Sequence, residues 1–166
     1  RRRFQDDLQK ALGLAQGEPA RHFSLMFLDF DRFKLVNDSL GHAIGDEFLI
    51  AVARRIQQSV RPQDIVARLG GDEFGVLIKG ADTESATVAA ARLRAALGRA
   101  YALAGISLHV GASIGIATFP EHAQDAGTLL RHADVAMYEA KRGRLGHCVY
   151  ASEGDHHSRD RLELAG

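Results

Sequence analysis

The sequence is poor in cysteine and in long apolar runs. Cys148 is the single cysteine among 166 residues, which excludes an internal disulfide framework and is compatible with a reducing cytosol. No apolar segment approaches the roughly 20 residues that a membrane-spanning helix needs. We therefore expect a cytoplasmic domain. The chain begins at Arg1 rather than at a methionine, and we expect it to be part of a longer protein whose other segments could anchor it in a membrane.

The sequence also lacks an excess of charge of either sign. Lysine plus arginine and aspartate plus glutamate both number 21, so no general basic field attracts nucleic acid and no acidic tail is present. A ferredoxin-like nucleic-acid binder is further disfavoured because no strand interleaves aromatic and basic residues. We expect no nucleic-acid partner, and any polyanion must be held locally. With 166 residues, of which 46% are hydrophobic, the chain has the length and the apolar content of one globular domain.

The N-terminal third contains one predicted helix and one predicted strand. Pro19 marks a loop between them. The run HFSLMFLDFD at 22–31 is typical of a buried strand, with Asp29 and Asp31 at its carboxyl end. The first helix is predicted from apolar residues at four-residue intervals, which are Phe4, Leu8 and Leu12.

Three more helices are predicted, over about 46–60, 83–97 and 126–142. Each has apolar residues expected on its inner face. These are Phe48, Val52 and Ile56 in the first of the three, Val88, Leu93 and Leu97 in the second, and Leu129, Leu130, Ala133, Ala136 and Met137 in the third.

The remaining predicted strands complete an α/β order. The segments IVARLG and EFGVLI are predicted to form a hairpin. Residues 106–119 are predicted to form one long strand that ends before Pro120, and residues 147–150 to form a short edge strand. This order predicts an α/β fold with a mixed central sheet and surrounding helices, in the ferredoxin-like manner.

The hairpin turn is unusual because two glycines and two acids lie between apolar strands, in RLGGDEFGVLI at 68–78. By itself this pattern also fits an ordinary hairpin, since Gly70 and Gly71 can adopt positive φ. In the predicted sheet, however, the end of the strand that carries Asp29 can lie beside Asp72 and Glu73. Three carboxylates without a compensating cation would repel one another, and oxygen ligands favour Mg²⁺ or Mn²⁺. His156 and His157 lie in a polar tail and do not suggest zinc.

Several separate segments resemble the GGDEF family of diguanylate cyclases in order and spacing. They are LDFDRFKLVNDSLGHAIGDEFL, RPQDIVARLGGDEFGVLI, SIGIATFPEHAQDAGTLLRHADVAMYEAK and the pair Gly143–Arg144. The resemblance implies a nucleotide-cyclase-like GGDEF domain over residues 1–150 and a linker over 151–166 toward a downstream domain. The family's N-terminal DxLTGLxNR signature is absent, apart from residues Arg1–Phe4, which would be a remnant of it.

The resemblance implies the residues of a metal site and of a nucleotide site. Asp29 and Asp72 would bind Mg²⁺ with the backbone carbonyl of Phe30, and Glu73 would be the second acidic contributor, so that Asp72 and Glu73 are the expected catalytic acids. Asp31 also occupies a family position, but an acid at a strand end is commonly structural.

The expected GTP contacts divide between the base and the phosphates. Asn37 and Asp46 match the family's guanine readers, because an amide and a carboxylate complement the edge of guanine and not that of adenine. Asp46 could alternatively be an ordinary acid at a helix N-terminus. Lys34 matches a triphosphate contact, and Lys141 and Arg144 match distal phosphate contacts. The segment between Lys141 and Arg144 is one residue shorter than the usual pattern, which could displace Arg144.

The implied reaction joins two GTP molecules into cyclic di-GMP and releases two pyrophosphates, in a transient antiparallel homodimer. Arg61 and Asp64 form an RxxD pattern that resembles the family's product-inhibition site, and Arg92 matches a further contact there. A surface salt bridge is the alternative for Arg61 and Asp64. The C-terminal motifs resemble cyclases fused to an EAL phosphodiesterase, so a GTP-binding regulatory domain is the alternative function. Sensory domains are expected in the longer protein.

Overall fold

The computed structural model describes residues 3, 4, 6, 8–10 and 22–151. The six described residues that precede residue 22 are helical, and Phe4 and Leu8 are buried as expected. Leu12, Pro19, the pair His156–His157 and all of the predicted linker except residue 151 lie outside the described residues. None of the helices in the described part of the chain combines the length and the apolarity needed to cross a membrane.

The described chain from residue 22 onward forms seven strands and four helices. The strands are β1 (Phe23–Phe30), β2 (Ile65–Gly70), β3 (Glu73–Lys79), β4 (Tyr101–Leu103), β5 (Ile106–Leu108), β6 (Ala112–Phe119) and β7 (His147–Val149). The helices are α1 (Phe33–Leu40), α2 (His42–Ser59), α3 (Thr83–Leu97) and α4 (Ala126–Arg142).

Five strands form a mixed sheet in the order β2-β3-β1-β6-β7, which confirms the predicted α/β class. The β2–β3, β3–β1 and β1–β6 pairs are antiparallel, whereas β6 and β7 are parallel. β1 is the central strand, and nearly every one of its side chains is buried. This explains why its sequence is continuously apolar rather than alternating.

Each face of the sheet carries its own hydrophobic core. Met26, Leu28 and Phe30 of β1 point to the face covered by α2 and α3. Phe23, Leu25 and Phe27 alternate with them and point to the face covered by α4 and the N-terminal helical residues. The predicted inward residues of α2 and α4 are all buried.

Val88 does not point inward as expected. Its side chain is 57% exposed, because the inner face of α3 consists of Ala86, Ala90, Leu93 and Leu97. The helix begins after Asp82, whose side chain accepts a hydrogen bond from Ser85 N at 2.8 Å.

The predicted long strand over 106–119 is wrong. Residues 106–108 form β5, which pairs with β4 in a separate two-stranded sheet, and only residues 112–119 join the main sheet. Ala104 and Gly105 both have positive φ, 49° and 78°, so the chain reverses between β4 and β5 in a tight hairpin. Gly111 O then accepts a hydrogen bond from Asp31 N, and β6 starts at that point.

Candidate functional site

The carboxyl end of β1 lies between two other strands of the sheet. Asp29 is paired with Glu73 at the start of β3 and with Ser113 near the start of β6. The neighbouring Phe30 is fixed by its ring, which makes edge contacts with Phe48 and Phe74 in the core. This part of the backbone is therefore held in position by the sheet and by the core beneath it.

The glycine turn brings Asp72 to the same edge of the sheet. Gly71 has φ +46°, a left-handed conformation that glycine adopts without strain. The register between β2 and β3 shifts between Arg68 and Gly70, and Arg68 Nε donates a hydrogen bond of 2.9 Å to Gly71 O. The turn is therefore tied to the strand that precedes it, with Asp72 beside Asp29.

Asp29 and Asp72 form a mutually repelling pair of carboxyl groups. Burial, a hydrogen bond with Asp29 and the Asp29 charge raise the pKa of Asp72 to about 6. Asp29 Oδ1 is buried and, when both acids are ionised, accepts no hydrogen bond within the described residues. The pair therefore requires either a proton on Asp72 or a cation.

Lys141 supplies positive charge to this pair, which the sequence interpretation did not foresee. Its Nζ donates a hydrogen bond of 2.9 Å to Asp29 Oδ2. Burial by itself would lower the pKa of Lys141, but the hydrogen bond with Asp29 and the charges of Asp29, Asp31 and Asp72 raise it. The expectation of carboxylates without a compensating cation is therefore wrong.

Of the three carboxylates that were expected to meet, the structure brings two into direct interaction. Across the described residues, no group of three or more His, Cys, Asp or Glu side chains is arranged to hold a metal ion. The two acids in direct interaction are Asp29 and Asp72, whereas Glu73 is paired with Asp29 through the strand register. The buried, unpaired oxygen of Asp29 and the all-oxygen chemistry of the pair fit Mg²⁺ or Mn²⁺, while a ligand role for Glu73 stays a prediction.

Asp31 has structural contacts, in line with its omission from the expected site. Its Oδ1 accepts a hydrogen bond from Ser113 Oγ at 3.1 Å, and its backbone N–H donates to Gly111 O at 2.9 Å. These bonds tie the chain after β1 to the start of β6.

Asn37, one of the two expected guanine readers, lies beside the residue that precedes the other reader, Asp46. Asn37 is in α1, and its side-chain oxygen lies against the backbone of Gly45, the residue before Asp46. The helix α2 begins at His42 rather than near Asp46 as expected, and no acid lies in its first turn. The alternative interpretation of Asp46 as an N-terminal helix acid is therefore wrong.

Asp46 is exposed and lines a cavity of about 500 Å³ between α2 and β2, together with Arg68 and Phe74. Lys34 is exposed in the first turn of α1. Arg144 is also exposed and has φ +52°. That left-handed conformation follows the end of α4 at Arg142, and it is where the shortened segment turns away from the helix axis.

The three residues of the expected product site line a second cavity, of about 240 Å³, on the same side of the sheet as α3. Arg61 forms a two-pronged ion pair with Asp64, with Nε–Oδ2 and Nη2–Oδ1 distances of 3.2 and 3.1 Å. Arg61 also donates to Lys79 O, and Lys79 N donates to Asp64 Oδ1. Arg92 lines the cavity from α3. The ion pair has a structural role, and it also lines a cavity that is lined by a second arginine.

Two residues of the candidate site were missed by sequence reasoning. Gly45 allows Asn37 to approach α2, and Arg68 holds the glycine turn. A glycine inside an otherwise helical pattern was a usable signal for Gly45. Nothing in the sequence pattern indicated the Arg68 bond, because a side chain to backbone contact of this kind leaves no periodicity.

The sequence profile of the GGDEF domain of diguanylate cyclases matches residues 1–146. The chain is 41% identical over 160 residues to MucR of Pseudomonas aeruginosa, a bifunctional diguanylate cyclase and cyclic di-GMP phosphodiesterase. It is 43% identical over 148 residues to the diguanylate cyclase TpbB of the same species. The alignments cover 96% and 86% of the chain, which spans only 23% of MucR and 33% of TpbB.

Solved structures agree with this relationship. The GGDEF domain of TpbB superimposes with a TM-score of 0.87 at 40% identity, covering 91% of this chain and 95% of that domain. The GGDEF domain of DgcB from Caulobacter crescentus, solved in complex with cyclic di-GMP, has a TM-score of 0.81 at 28% identity. That alignment covers 92% of this chain and 90% of the DgcB chain.

Proposed function

Because the chain belongs to the GGDEF family of diguanylate cyclases, we propose that it condenses two GTP molecules into cyclic di-GMP and two pyrophosphates. The observation that carries the proposal is the carboxyl pair at the end of β1. Asp29 and Asp72 are held side by side by strand register and a glycine turn, with a buried oxygen of Asp29 left without a donor when both are ionised. A pair of this kind is suited to a divalent cation that carries a nucleotide triphosphate.

Asp29 and Asp72, together with the Phe30 carbonyl and Glu73, would hold Mg²⁺ or Mn²⁺. When bound, such ions favour ionisation of a ribose 3′-hydroxyl and neutralise charge on the phosphates. The chain's own contribution is rigidity. The Phe30 ring is buried between Phe48 and Phe74, so the ligand oxygens are held in place before the substrate arrives.

Asn37 and Asp46 would select guanine. The Asn37 amide can donate to the purine O6, and the Asp46 carboxylate can accept from N1–H and N2–H, whereas adenine offers the opposite pattern at these positions. Lys34, Lys141 and Arg144 would bind the phosphates. Lys34 and Arg144 are exposed in the free protein, so they can reach a nucleotide without breaking core contacts.

Each domain would bind one GTP molecule, so the condensation of two GTP molecules requires two domains. In an antiparallel pair, the 3′-hydroxyl of each GTP would lose its proton to solvent and its oxygen would attack the α-phosphorus of the other. As the new P–O bond forms, the bond from that phosphorus to the bridging oxygen of the β-phosphate would break, and pyrophosphate would leave. The step occurs twice and gives a symmetric cyclic product. We therefore propose a transient antiparallel homodimer as the active state.

Arg61, Asp64 and Arg92 are proposed as a product-inhibition site. The support is the shared cavity, which is lined by the Arg61–Asp64 ion pair and by Arg92. Guanidinium groups bind phosphate and the guanine O6/N7 edge in two-pronged geometry, and cyclic di-GMP presents both groups.

A second candidate function is regulation of a fused phosphodiesterase by GTP binding alone. It is favoured by the relationship with the bifunctional MucR, of which this chain spans 23%. In this arrangement the GGDEF domain of residues 1–150 would be joined by residues 151–166 to an EAL domain. Sensory domains and a membrane anchor would lie elsewhere in a longer, cytoplasm-facing protein.

The decisive experiment is incubation of the purified domain with GTP and Mg²⁺ over a wide range of protein concentrations, with cyclic di-GMP and pyrophosphate measured by mass spectrometry and a coupled assay. We expect turnover per domain to rise with protein concentration, since two domains must meet. Asp72→Ala should abolish turnover, whereas Glu84→Ala, which removes an exposed acid at the start of α3, should not. GTP binding without product at every concentration would favour the regulatory function.

A further inference from the structure

Lys141 lies in the last turn of α4, yet its ammonium group is at the carboxyl end of β1, beside Asp29. Its Nζ is 2.9 Å from Asp29 Oδ2, across 112 positions of sequence. The Lys141 side chain is 41% exposed and that of Asp29 is 14% exposed. The ion pair therefore closes one side of the candidate metal site while the lysine keeps a route to solvent.

The position of Lys141 makes it a counter-ion for the whole acidic group. Asp29 is its direct partner, and the charges of Asp31 and Asp72 also act on it. One ammonium ion thus stands where the proposed function requires a divalent cation to share the same carboxylate. Two cations on Asp29 would repel each other unless a further anion is present.

We propose that Lys141 couples the binding of the divalent cation to the binding of the triphosphate. This inference rests on the proposed function of the Asp29–Asp72 site. In the free protein, Lys141 neutralises Asp29 and competes with free metal. A metal ion that arrives with GTP brings phosphate oxygens, so Lys141 can leave Asp29 for the triphosphate while the metal takes the carboxylate.

The exchange has a thermodynamic consequence. When a metal ion binds alone, the Lys141–Asp29 ion pair breaks and the ammonium group gains no new partner. When the metal binds together with nucleotide, the ammonium group pairs with the triphosphate instead. Metal and nucleotide must therefore strengthen each other's binding by the same factor. The site would stay closed to free Mg²⁺ and open to the metal–nucleotide complex.

The test measures Mn²⁺ binding by electron paramagnetic resonance, which counts free Mn²⁺ directly and needs no turnover. Titrations are made without nucleotide and with 3′-deoxy-GTP, which lacks the attacking hydroxyl. The proteins are the parent, Lys141→Met, and Arg142→Met as a matched control. Arg142 is the next residue of α4, is half-exposed, and pairs with Glu139 rather than with the site.

We expect Lys141→Met to bind Mn²⁺ about fivefold to tenfold more tightly than the parent in the absence of nucleotide. The strengthening of Mn²⁺ binding by 3′-deoxy-GTP should be large in the parent and in Arg142→Met, and several-fold smaller in Lys141→Met. Lys141→Gln, which keeps a polar tip, should behave like Lys141→Met. Unchanged melting curves would show that the variants are folded.

Two results would overturn the inference, and they can be told apart with Asp72→Asn. If Asp72→Asn loses Mn²⁺ but Lys141→Met binds free Mn²⁺ no more tightly than the parent, only the coupling role of Lys141 fails. If Asp72→Asn binds Mn²⁺ as well as the parent, the metal site of the proposed function fails and the coupling fails with it.

Discussion

The side chain of Asn37 lies directly against the backbone of Gly45. A Cβ atom at position 45 would stand 1.8 Å from Asn37 Oδ1 and 2.9 Å from its Cγ. The close contact links α1 to α2 immediately before Asp46. The Asn37 amide can therefore occupy its present position only because residue 45 has no side chain.

Gly45→Ala should therefore weaken GTP binding without unfolding the domain. The atom in the way is the end of a flexible side chain rather than backbone, so Asn37 can rotate aside and lose its guanine contact. We expect a loss of about tenfold in GTP affinity, corresponding to one hydrogen bond, measured by calorimetry with 3′-deoxy-GTP.

Gly127→Ala is the matched control for this glycine substitution. Gly127 is exposed in the first turn of α4, where the nearest atom to an added Cβ is Asp125 Oδ1 at 3.6 Å. It should leave GTP affinity unchanged. Equal affinities for Gly45→Ala and the parent would mean that Asn37 does not read the base.

Asp72→Asn should stabilise the metal-free domain in a pH-dependent way. The pKa of Asp72 is raised by burial and by Asp29 to about 6, from an ordinary value of 3.8. Since the folded state holds the proton more tightly, the associated stability is present below pH 3.8 and is lost as pH rises through about 6. The full linkage value would be about 3 kcal/mol, and solvent screening of this half-buried group reduces it to about 1 kcal/mol.

The measurement is urea unfolding of parent and Asp72→Asn in the presence of a chelator. The advantage of the variant should be larger at pH 7.5 than at pH 4.5, because asparagine never carries the repelling charge. A constant difference between the two pH values would contradict the coupling of Asp72 to Asp29. With Mg²⁺ and nucleotide added at pH 7.5, the parent should gain stability and the variant should not.

Gly115→Ala should damage the fold rather than the site. Gly115 lies in β6 beneath α4, and an added Cβ would be 2.1 Å from both Ala133 O and Met137 N. These are backbone atoms of a helix that cannot rotate aside, so α4 would have to lift from the sheet. We expect a loss of about 3 kcal/mol in the free energy of unfolding, measured by urea denaturation, whereas Gly127→Ala should cost nothing. A stable Gly115→Ala would contradict the close contact of strand and helix.

Arg61→Ala should loosen cyclic di-GMP binding while largely preserving the initial cyclase rate. Because Arg61 also ties Asp64 and the Lys79 carbonyl, the variant should additionally lose about 1 kcal/mol of stability. Arg92→Ala should loosen product binding through the same cavity. Calorimetric titration of cyclic di-GMP into the parent and the two variants distinguishes a role in product binding from a purely structural role. Parent-like affinity in both variants, or no binding to the parent, would leave Arg61 and Asp64 as a structural ion pair only.

Short sequence patterns were sufficient to predict many of the helices, strands and turns, because these elements depend on interactions between residues close together in the chain. The continuous apolar run of β1, the glycine turn before Asp72 and the apolar stripe of α4 each match a single period or turn type. The placement of Asp29 beside the turn also followed, since antiparallel neighbours bring a strand end and a hairpin together. The structure reproduces these features, with Asp29 opposite Glu73.

Elements without a strong local signal were missed. Helix α1 is eight residues long and buries only Val36. Arg32, the residue before it, has φ +64° and makes no side-chain cap hydrogen bond, so no start signal marked this helix in the sequence. The β4–β5 hairpin was not predicted because β5 and β6 are separated by only three residues, so the sequence between 106 and 119 resembled one continuous strand. Val88 was misplaced because apolarity was given more weight than the small residues that let α3 approach the sheet.

The sequence by itself determined the mixed α/β class, most of the strands and helices, and the acids that gather at the end of β1, because these depend on residue periodicity and turn chemistry over short stretches. Only the tertiary structure decided which charge balances them. Lys141 is 112 positions from Asp29 and meets it because α4 packs across the sheet. The contact of Asn37 with Gly45 and the shared cavity of Arg61 and Arg92 were decided in the same way. Contacts between side chains of different elements depend on packing distances in space, and those distances leave no periodic trace along the chain.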